Sequence, residues 1–307
     1  LEAGAIVAVK GLGGYHLAVD ATDAAAVDRL RARKRREAKP LALMVRGLAA
    51  ARALCEVGDA EAALLRSRER PIVLVARRPG ARVAPGVAPD TSRLGLMLPY
   101  TPLHHLLLAE TDRPLVMTSG NVSDEPIAFE DEDAFDRLAG IADLFLAHDR
   151  PIAARADDSV VQVVRGGLSF IRRSRGFAPH PIRLAAPLAR PVLALGGHQK
   201  NTFCLAAGAS ALLSPHVGDL DSAAACLALE AGVGRFQRLF GIAPALVAHD
   251  LHPDYASTRL AARFALERVA VQHHYAHVAS CLAEHGSTGP VLGVAFDGAG
   301  LGLDGAV

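Results

Sequence analysis

In the stretch Gln272-His273-His274-Tyr275-Ala276-His277, two histidines fall four residues apart. On a helix, that spacing sets His273 and His277 on one face, where both imidazoles can share a cation. Ordinary surface or core histidines can show the same spacing. Ligation is favoured by Asp297, expected at the end of the strand that follows this helix. In an alternating α/β unit the carboxyl ends of strands meet the crevice where ligands bind. Two imidazoles and a carboxylate suit iron, zinc or manganese, with positions left open for substrate. His274 projects about 100° away on the helix and is read as a structural neighbour of the pair.

A second chemical candidate is Gly196-Gly197-His198-Gln199-Lys200-Asn201-Thr202, between two strand-like runs. Glycines let the backbone come close to a phosphate, and Lys200, Asn201 and Thr202 can reach its oxygens. An ordinary hairpin turn with a surface lysine would read the same way. The glycine-rich turn behind Asp297, with Gly298 and Gly300, has the character of a partner loop. Two hairpin loops gripping one nucleotide describe an actin-like ATPase, of which one half is expected here.

The first half of the chain carries cationic and anion-binding features of its own. Residues 29–36 hold six basic side chains in eight, followed by Lys39-Pro40. They read either as a solvated helix end that complements the helix dipole or as a contact to triphosphate or RNA phosphates. Arg172-Arg173-Ser174-Arg175-Gly176 forms a second basic stretch. Met117-Thr118-Ser119-Gly120-Asn121 places hydroxyl, amide and backbone N–H donors directly after a strand, a turn suited to an anion. No aromatic residues interleave with the basic ones and tryptophan is absent, which disfavours single-stranded nucleic acid as a ligand.

The elements that must position these groups alternate. Strands are expected over residues 5–9, 41–45, 72–75, 114–117 and 144–147, and helices over 23–36, 102–110 and 130–139. Thr22 or Asp23 would cap the first of those helices. Residues 160–164 and 168–172, joined by Arg165-Gly166-Gly167, read as a hairpin. The prolines at 179, 181 and 187 mark a linker, so a boundary is placed near Ala186 and the domains at 1–185 and 186–307. Beyond it, strands are expected over 192–195, 202–206, 245–248, 269–271 and 291–296. Helices are expected over 221–240, 255–266 and 273–285. A chain of 307 residues, 51% apolar and 21% charged, allows about two domains. A net charge of +1 excludes a global field that would demand nucleic acid or membrane, and no apolar run approaches a bilayer span. The four cysteines form no CxxC pair, as expected of reduced thiols in the cytoplasm. The chain opens directly on a strand and stops inside a glycine-rich turn, the layout of an interior piece of a longer protein.

Several of these motifs, in this order, resemble the YrdC/Sua family of carbamoyl-adenylate-forming domains. They are residues 10–17 from Lys10, Arg33-Lys34-Arg35-Arg36 with Lys39-Pro40, Leu96-Met97-Leu98-Pro99-Tyr100, Thr118-Ser119-Gly120-Asn121, and Asp157-Asp158-Ser159 through Gly176. Glu37 departs from the pattern, which usually places proline after Lys-x-Arg. The second half is similar to the transfer domain shared with the tRNA threonylcarbamoyl transferases. The matches are Ala194-Leu195-Gly196-Gly197 with Lys200-Asn201-Thr202, residues 214–220, His249-Asp250-Leu251-His252-Pro253-Asp254-Tyr255, the histidine pair and Phe296-Asp297-Gly298. That domain order resembles the HypF family of hydrogenase-maturation carbamoyltransferases.

The resemblance implies an α/β (α+β) architecture: a YrdC-like twisted mixed sheet with helices, then the first subdomain of an actin-like ATPase (ASKHA) fold. It implies that carbamoyl phosphate and ATP, with Mg2+, give carbamoyl adenylate. Lys34, Arg36 and Lys10 would neutralise the triphosphate, Ser119, Asn121 and Thr118 would hold the carbamoyl-adenylate end, and Arg173 and Arg175 would close the site. In the second domain Gly196, Gly197, Lys200, Asn201, Thr202, Gly298 and Gly300 would contact nucleotide. An iron or zinc ion on His273, His277 and Asp297 would polarise the carbamoyl carbonyl. The acceptor implied is the C-terminal cysteine of HypE. Three other readings stay open: a threonylcarbamoyl-adenylate synthase or RNA-binding protein, an antibiotic O-carbamoyltransferase, and a non-catalytic piece that docks HypE.

Overall fold

The computed structural model describes residues 1–122, 125–298 and 300–306, in two compact units, Leu1–Phe177 and Ala178–Val307. The first contains, in chain order, β1 (Val7–Lys10), β2 (Tyr15–Asp20), α1 (Ala24–Lys34), β3 (Ala42–Met44), α2 (Leu48–Leu54), α3 (Asp59–Arg66), β4 (Ile72–Ala76), β5 (Arg93–Met97), α4 (Pro102–Thr111), β6 (Leu115–Ser119), α5 (Asp131–Leu138), β7 (Leu144–Leu146), β8 (Val160–Val164) and β9 (Gly167–Arg172). Among the described residues these strands form one mixed sheet in the order β7-β1-β2-β6-β3-β5-β4-β8-β9.

Strand alternation divides the apolar side chains between the two faces of that sheet. Ile6, Tyr15, Leu17, Val73 and Leu96 join Leu30 of α1 in one cluster, while Val9, Met44, Met97, Leu115 and Met117 build another. Helix α1 starts where Asp23 accepts a hydrogen bond from Ala26 N and stops where Arg35 turns left-handed at φ 53°. Its last turn carries Arg31, Arg33 and Lys34, yet Lys34 faces inward and is 0% exposed. The solvated-helix-end reading therefore fails for this lysine.

The second unit contains β10 (Ile182–Arg183), β11 (Val192–Leu195), β12 (Phe203–Ala207), β13 (Ser210–Leu213), α6 (Ala223–Phe240), β14 (Leu246–Asp250), α7 (Ala256–Ala261), β15 (Glu267–Val271) and α8 (His273–His285). Its sheet runs β10-β13-β12-β11-β14-β15, with β11, β14 and β15 parallel and the remaining pairs antiparallel. Leu229, Val233 and Phe236 of α6 pack on Leu193, Phe203 and Leu205. Both units are mixed α/β, as the sequence indicates.

Three expectations change. The proline-rich segment is not a bare linker: Ile182–Arg183 pairs with β13, so it belongs to the second compact unit, which begins at Ala178. The helix expected over 255–266 is helical only at Ala256–Ala261. Residues 291–296 form no hydrogen-bonded strand, and Val291, Leu292, Val294 and Phe296 are exposed. Gly293 instead lies against Val278 of α8, so tightly that an added Cβ would sit 2.4 Å from Val278 Cγ2. The sequence reading also passed over β2, β5, β13, α2 and α3.

Candidate functional site

In the first unit the end of α1 meets the turn after β6. The Lys34 ammonium donates to Ser119 O, Asn121 O and Asn121 Oδ1, each at 2.6 Å. A lysine has three donors, and these three acceptors can take all of them. Ser119 Oγ donates to Asn121 Oδ1 at 2.7 Å, and Asn121 Nδ2 donates to Glu125 O at 2.5 Å. The cation, the hydroxyl and the amide named from the sequence thus converge on one turn. Gly120 N donates to Tyr15 O at 2.6 Å, and a Cβ on Gly120 would lie 2.7 Å from that same oxygen. Gly120→Ala is therefore expected to displace the turn and cost about 1–3 kcal/mol of stability. An unchanged urea midpoint would refute this.

Arg36 follows the left-handed residue and donates to Lys39 O and Pro40 O, organising its own loop. Thr118 lies in β6 opposite Leu17 and is buried. Lys10, grouped with Lys34 in the sequence reading, makes contacts of its own. Its ammonium is buried on Asp131 at 2.7 Å and on His148 O at 2.8 Å. The Lys10 ammonium and the Tyr15 hydroxyl hold the Asp131 carboxyl below its usual range.

Arg175, expected from the sequence to close the site, is held by contacts within the unit. It is 9% exposed and donates to Asp158 Oδ1 at 2.7 Å, Glu69 O at 3.1 Å and Arg70 O at 2.9 Å. Its guanidinium lies 3.6 Å from the Tyr100 ring centroid, a buried cation–π contact. Arg173 lies 6.0 Å from the Phe170 centroid. Asp158 joins Arg175 to His16, whose Nε2 is 2.9 Å from Asp158 Oδ2. Burial opposes the Asp158 charge, but Arg175 and His16 outweigh it and hold the carboxyl well below the usual range. His104 completes this cluster, edge-on to Tyr100 at 4.5 Å. Sequence reasoning missed the cluster because its members come from β2, α4 and three loops. The signal was that His16, Tyr100, Asp158 and Arg175 all fall within the stretches that carry the family resemblance.

In the second unit Gln272 caps α8, its side chain accepting from Tyr275 N at 2.7 Å. The cap starts the helix at His273, and the expected face forms. His273 Nε2 and His277 Nε2 lie 2.8 and 3.0 Å from the same oxygen, Asp297 Oδ2. Ligand atoms of the three residues fall within 4.8 Å of one another, so they could hold a metal ion. His274 turns aside, with Nε2 3.0 Å from the Asp297 carbonyl, as a structural neighbour. Burial disfavours charging His273, yet Asp250 and Asp297 outweigh it and its pKa is raised.

The glycine turn lies against this triad. A Cβ on Gly196 would meet Thr202 O at 2.4 Å, and one on Gly197 would meet His273 Cε1 at 3.3 Å. Asn201 is buried and its amide Nδ2 donates to Gly197 O at 2.7 Å, which ties the turn together. Lys200 adopts φ 47°, with its backbone N–H on Asp219 and its side chain exposed, and Thr202 is half-buried. Gly300 is buried against His274 and His273, whereas Gly298 is exposed; Ala299 of that turn lies outside the described residues. Asp250 at the end of β14 is a contributor whose role the sequence left unassigned, although its motif was noticed.

Residues 1–174 match the Sua5/YciO/YrdC family model, described as telomere recombination, and residues 187–284 match the HypF Kae1-like domain. The chain is 53% identical over 331 aligned residues to the carbamoyltransferase HypF2 of Cupriavidus necator, covering 99% of this chain and 40% of that protein. A crystal structure of full-length HypF in the phosphate- and nucleotide-bound form is 48% identical, with a TM-score of 0.97 over 99% of this chain and 40% of that one. The crystal structure of T. kodakarensis HypF is 36% identical, with a TM-score of 0.93 over 99% and 41%. The chain spans about two fifths of the length of the curated relatives it matches. No helix among the described residues is long and apolar enough to cross a membrane.

Proposed function

We propose, for a chain that belongs to the HypF family and joins a Sua5/YciO/YrdC domain to a HypF Kae1-like domain, a carbamoyl transfer that begins at the Lys34 turn. ATP with Mg2+ and carbamate react in the first unit, the carbamate coming from carbamoyl phosphate by hydrolysis of its acyl phosphate bond, with water consumed and inorganic phosphate released. A carbamate oxygen bonds to the α-phosphorus and pyrophosphate leaves, giving carbamoyl adenylate. In the second unit the C-terminal cysteine thiolate of a HypE protein attacks the carbamoyl carbon, and AMP leaves. The work is placed in the cytoplasm. The nucleotide named for the solved full-length HypF supports the first step.

The observation that carries this reading is the buried Lys34 ammonium on Ser119 and Asn121. Fixed there, the cation orients the turn and lends positive potential where charge develops at the α-phosphate. A donor held in place before the reaction needs no reorganisation during it. Ser119 Oγ and Asn121 would position the carbamoyl end, and Arg36 would meet the outer phosphates.

In the second unit, His273, His277 and Asp297 fit iron or zinc by donor type and by convergence on one oxygen. When bound, such an ion supplies Lewis-acid polarisation of a carbonyl oxygen. Gly196 and Gly197, with Lys200, would receive nucleotide phosphates beside it.

A threonylcarbamoyl-adenylate synthase shares the first domain family, so the acyl source decides between the two. Pyrophosphate exchange into ATP is expected with carbamate or carbamoyl phosphate and not with L-threonine plus bicarbonate. Faster exchange in the threonine arm would replace this reading.

A further inference from the structure

The carboxyl end of β14 places a second carboxylate on the candidate metal centre, on the opposite side from Asp297. Asp250 Oδ2 lies 2.5 Å from His273 Nδ1, while Asp297 Oδ2 lies 2.8 Å from His273 Nε2. The two ring nitrogens point in different directions. A cation shared by His273 Nε2, His277 Nε2 and Asp297 is therefore out of reach of an Asp250 oxygen bonded to Nδ1. Asp250 is also fixed from behind, because Oδ1 accepts from His252 N at 2.9 Å and the side chain is only 6% exposed. Leu251 N donates to Val271 O, tying the turn to the strand that leads into α8. His277 has no such support among the contacts described and its side chain is 53% exposed.

We infer that Asp250 is a positioning residue for the metal centre, holding His273 in the Nδ1–H tautomer so that the Nε2 lone pair faces the ion. The inference rests on the metal reading of the triad. Which imidazole nitrogen binds a metal is set by the hydrogen bond that the other makes, and losing such a partner typically weakens metal affinity 10–100-fold. Asp250 Oδ1 accepts the His252 N–H, and Oδ2 faces His273 Nδ1 at 2.5 Å, where it would accept the N–H of the inferred tautomer. An asparagine has one oxygen and one NH2. Keeping the His252 bond would turn the amide NH2 towards His273 Nδ1, and that favours the wrong tautomer.

Cobalt(II) titration of the chain, followed by its visible d–d bands, tests this against Asp250→Asn, Asp254→Asn and the double variant His273→Ala/His277→Ala. Asp254 is exposed in the same turn and serves as the control. Asp250→Asn is expected to bind cobalt about 10–100-fold more weakly, with Asp254→Asn like the parent. Parent-like affinity and bands in Asp250→Asn would overturn the positioning role while leaving the ligand set intact. Equal cobalt uptake by parent and double alanine variant would remove the metal reading and this inference with it. Should Asp250→Asn fail to fold, 15N NMR of the metal-free parent in alkaline buffer decides. Nδ1 protonated on His273 sustains the inference, and Nε2 protonated ends it.

Discussion

Lys34→Met is expected to lower carbamate-dependent ATP–pyrophosphate exchange by roughly 10^2–10^3-fold, the loss typical of one preorganised donor. Methionine keeps the apolar stem and removes the charge. Ser119 O, Asn121 O and Asn121 Oδ1 would each lose a charged donor at 2.6 Å. An unsatisfied buried acceptor costs about 1–3 kcal/mol, so the turn is expected to reorganise as well as lose its positive potential. Arginine should not rescue, because a planar fork cannot reproduce three converging bonds from one nitrogen. Exchange rates measured beside urea unfolding separate chemistry from folding. A Lys34→Met protein that stays folded and exchanges within a few-fold of the parent would dismiss the first site.

Acid should destabilise the first unit through His104. This residue is 0% exposed, and neither ring nitrogen has a hydrogen-bond partner among the described residues. Burial first, then the neighbouring His16, pushes its pKa down from the ordinary 6.5 to about 3, against the opposing pull of Asp158, with Arg175 and His105 adding to the depression. The unfolded chain takes a proton near 6.5 and the folded chain refuses it until about 3, so stability falls as pH drops through that window. The slope approaches about 1.4 kcal/mol per pH unit. His104→Leu should flatten it. At neutral pH the leucine variant is expected to gain about 1 kcal/mol. Removing two unpartnered polar atoms outweighs the edge-on contact with Tyr100, itself about 0.5–1.5 kcal/mol. Urea titrations across that pH range on both proteins provide the check, and parallel curves would contradict the assignment.

Of the two sites, the second was more legible in the sequence. His273 and His277 are one helical turn apart, and a periodicity inside one element is a local property. Asp297 was located correctly for the wrong reason, since residues 291–296 form no paired strand and it is Gly293 that brings the segment against α8. The glycines at 196 and 197 were read as room for phosphate. Their neighbours show that room is also needed for Thr202 O and for His273.

In the first unit the sequence supplied the chemical groups but not their partners. Lys10, Lys34, Arg36 and Arg175 are alike in charge, and the sequence reading sends the first three to the triphosphate and Arg175 to the closing of the site. Folding sends Lys10 to Asp131, 121 residues away, and Lys34 to Ser119, 85 residues away, while Arg175 reaches Glu69 at a separation of 106. Motif order alone determined the family, the two α/β units and the residue types available for anion and metal binding. Tertiary structure decided which acceptor each cation meets: Ser119 and Asn121 for Lys34, Asp131 for Lys10, and Asp158 for Arg175. A buried charge takes whichever acceptor the fold brings within hydrogen-bond reach, and that neighbour is set by strand order rather than by sequence distance.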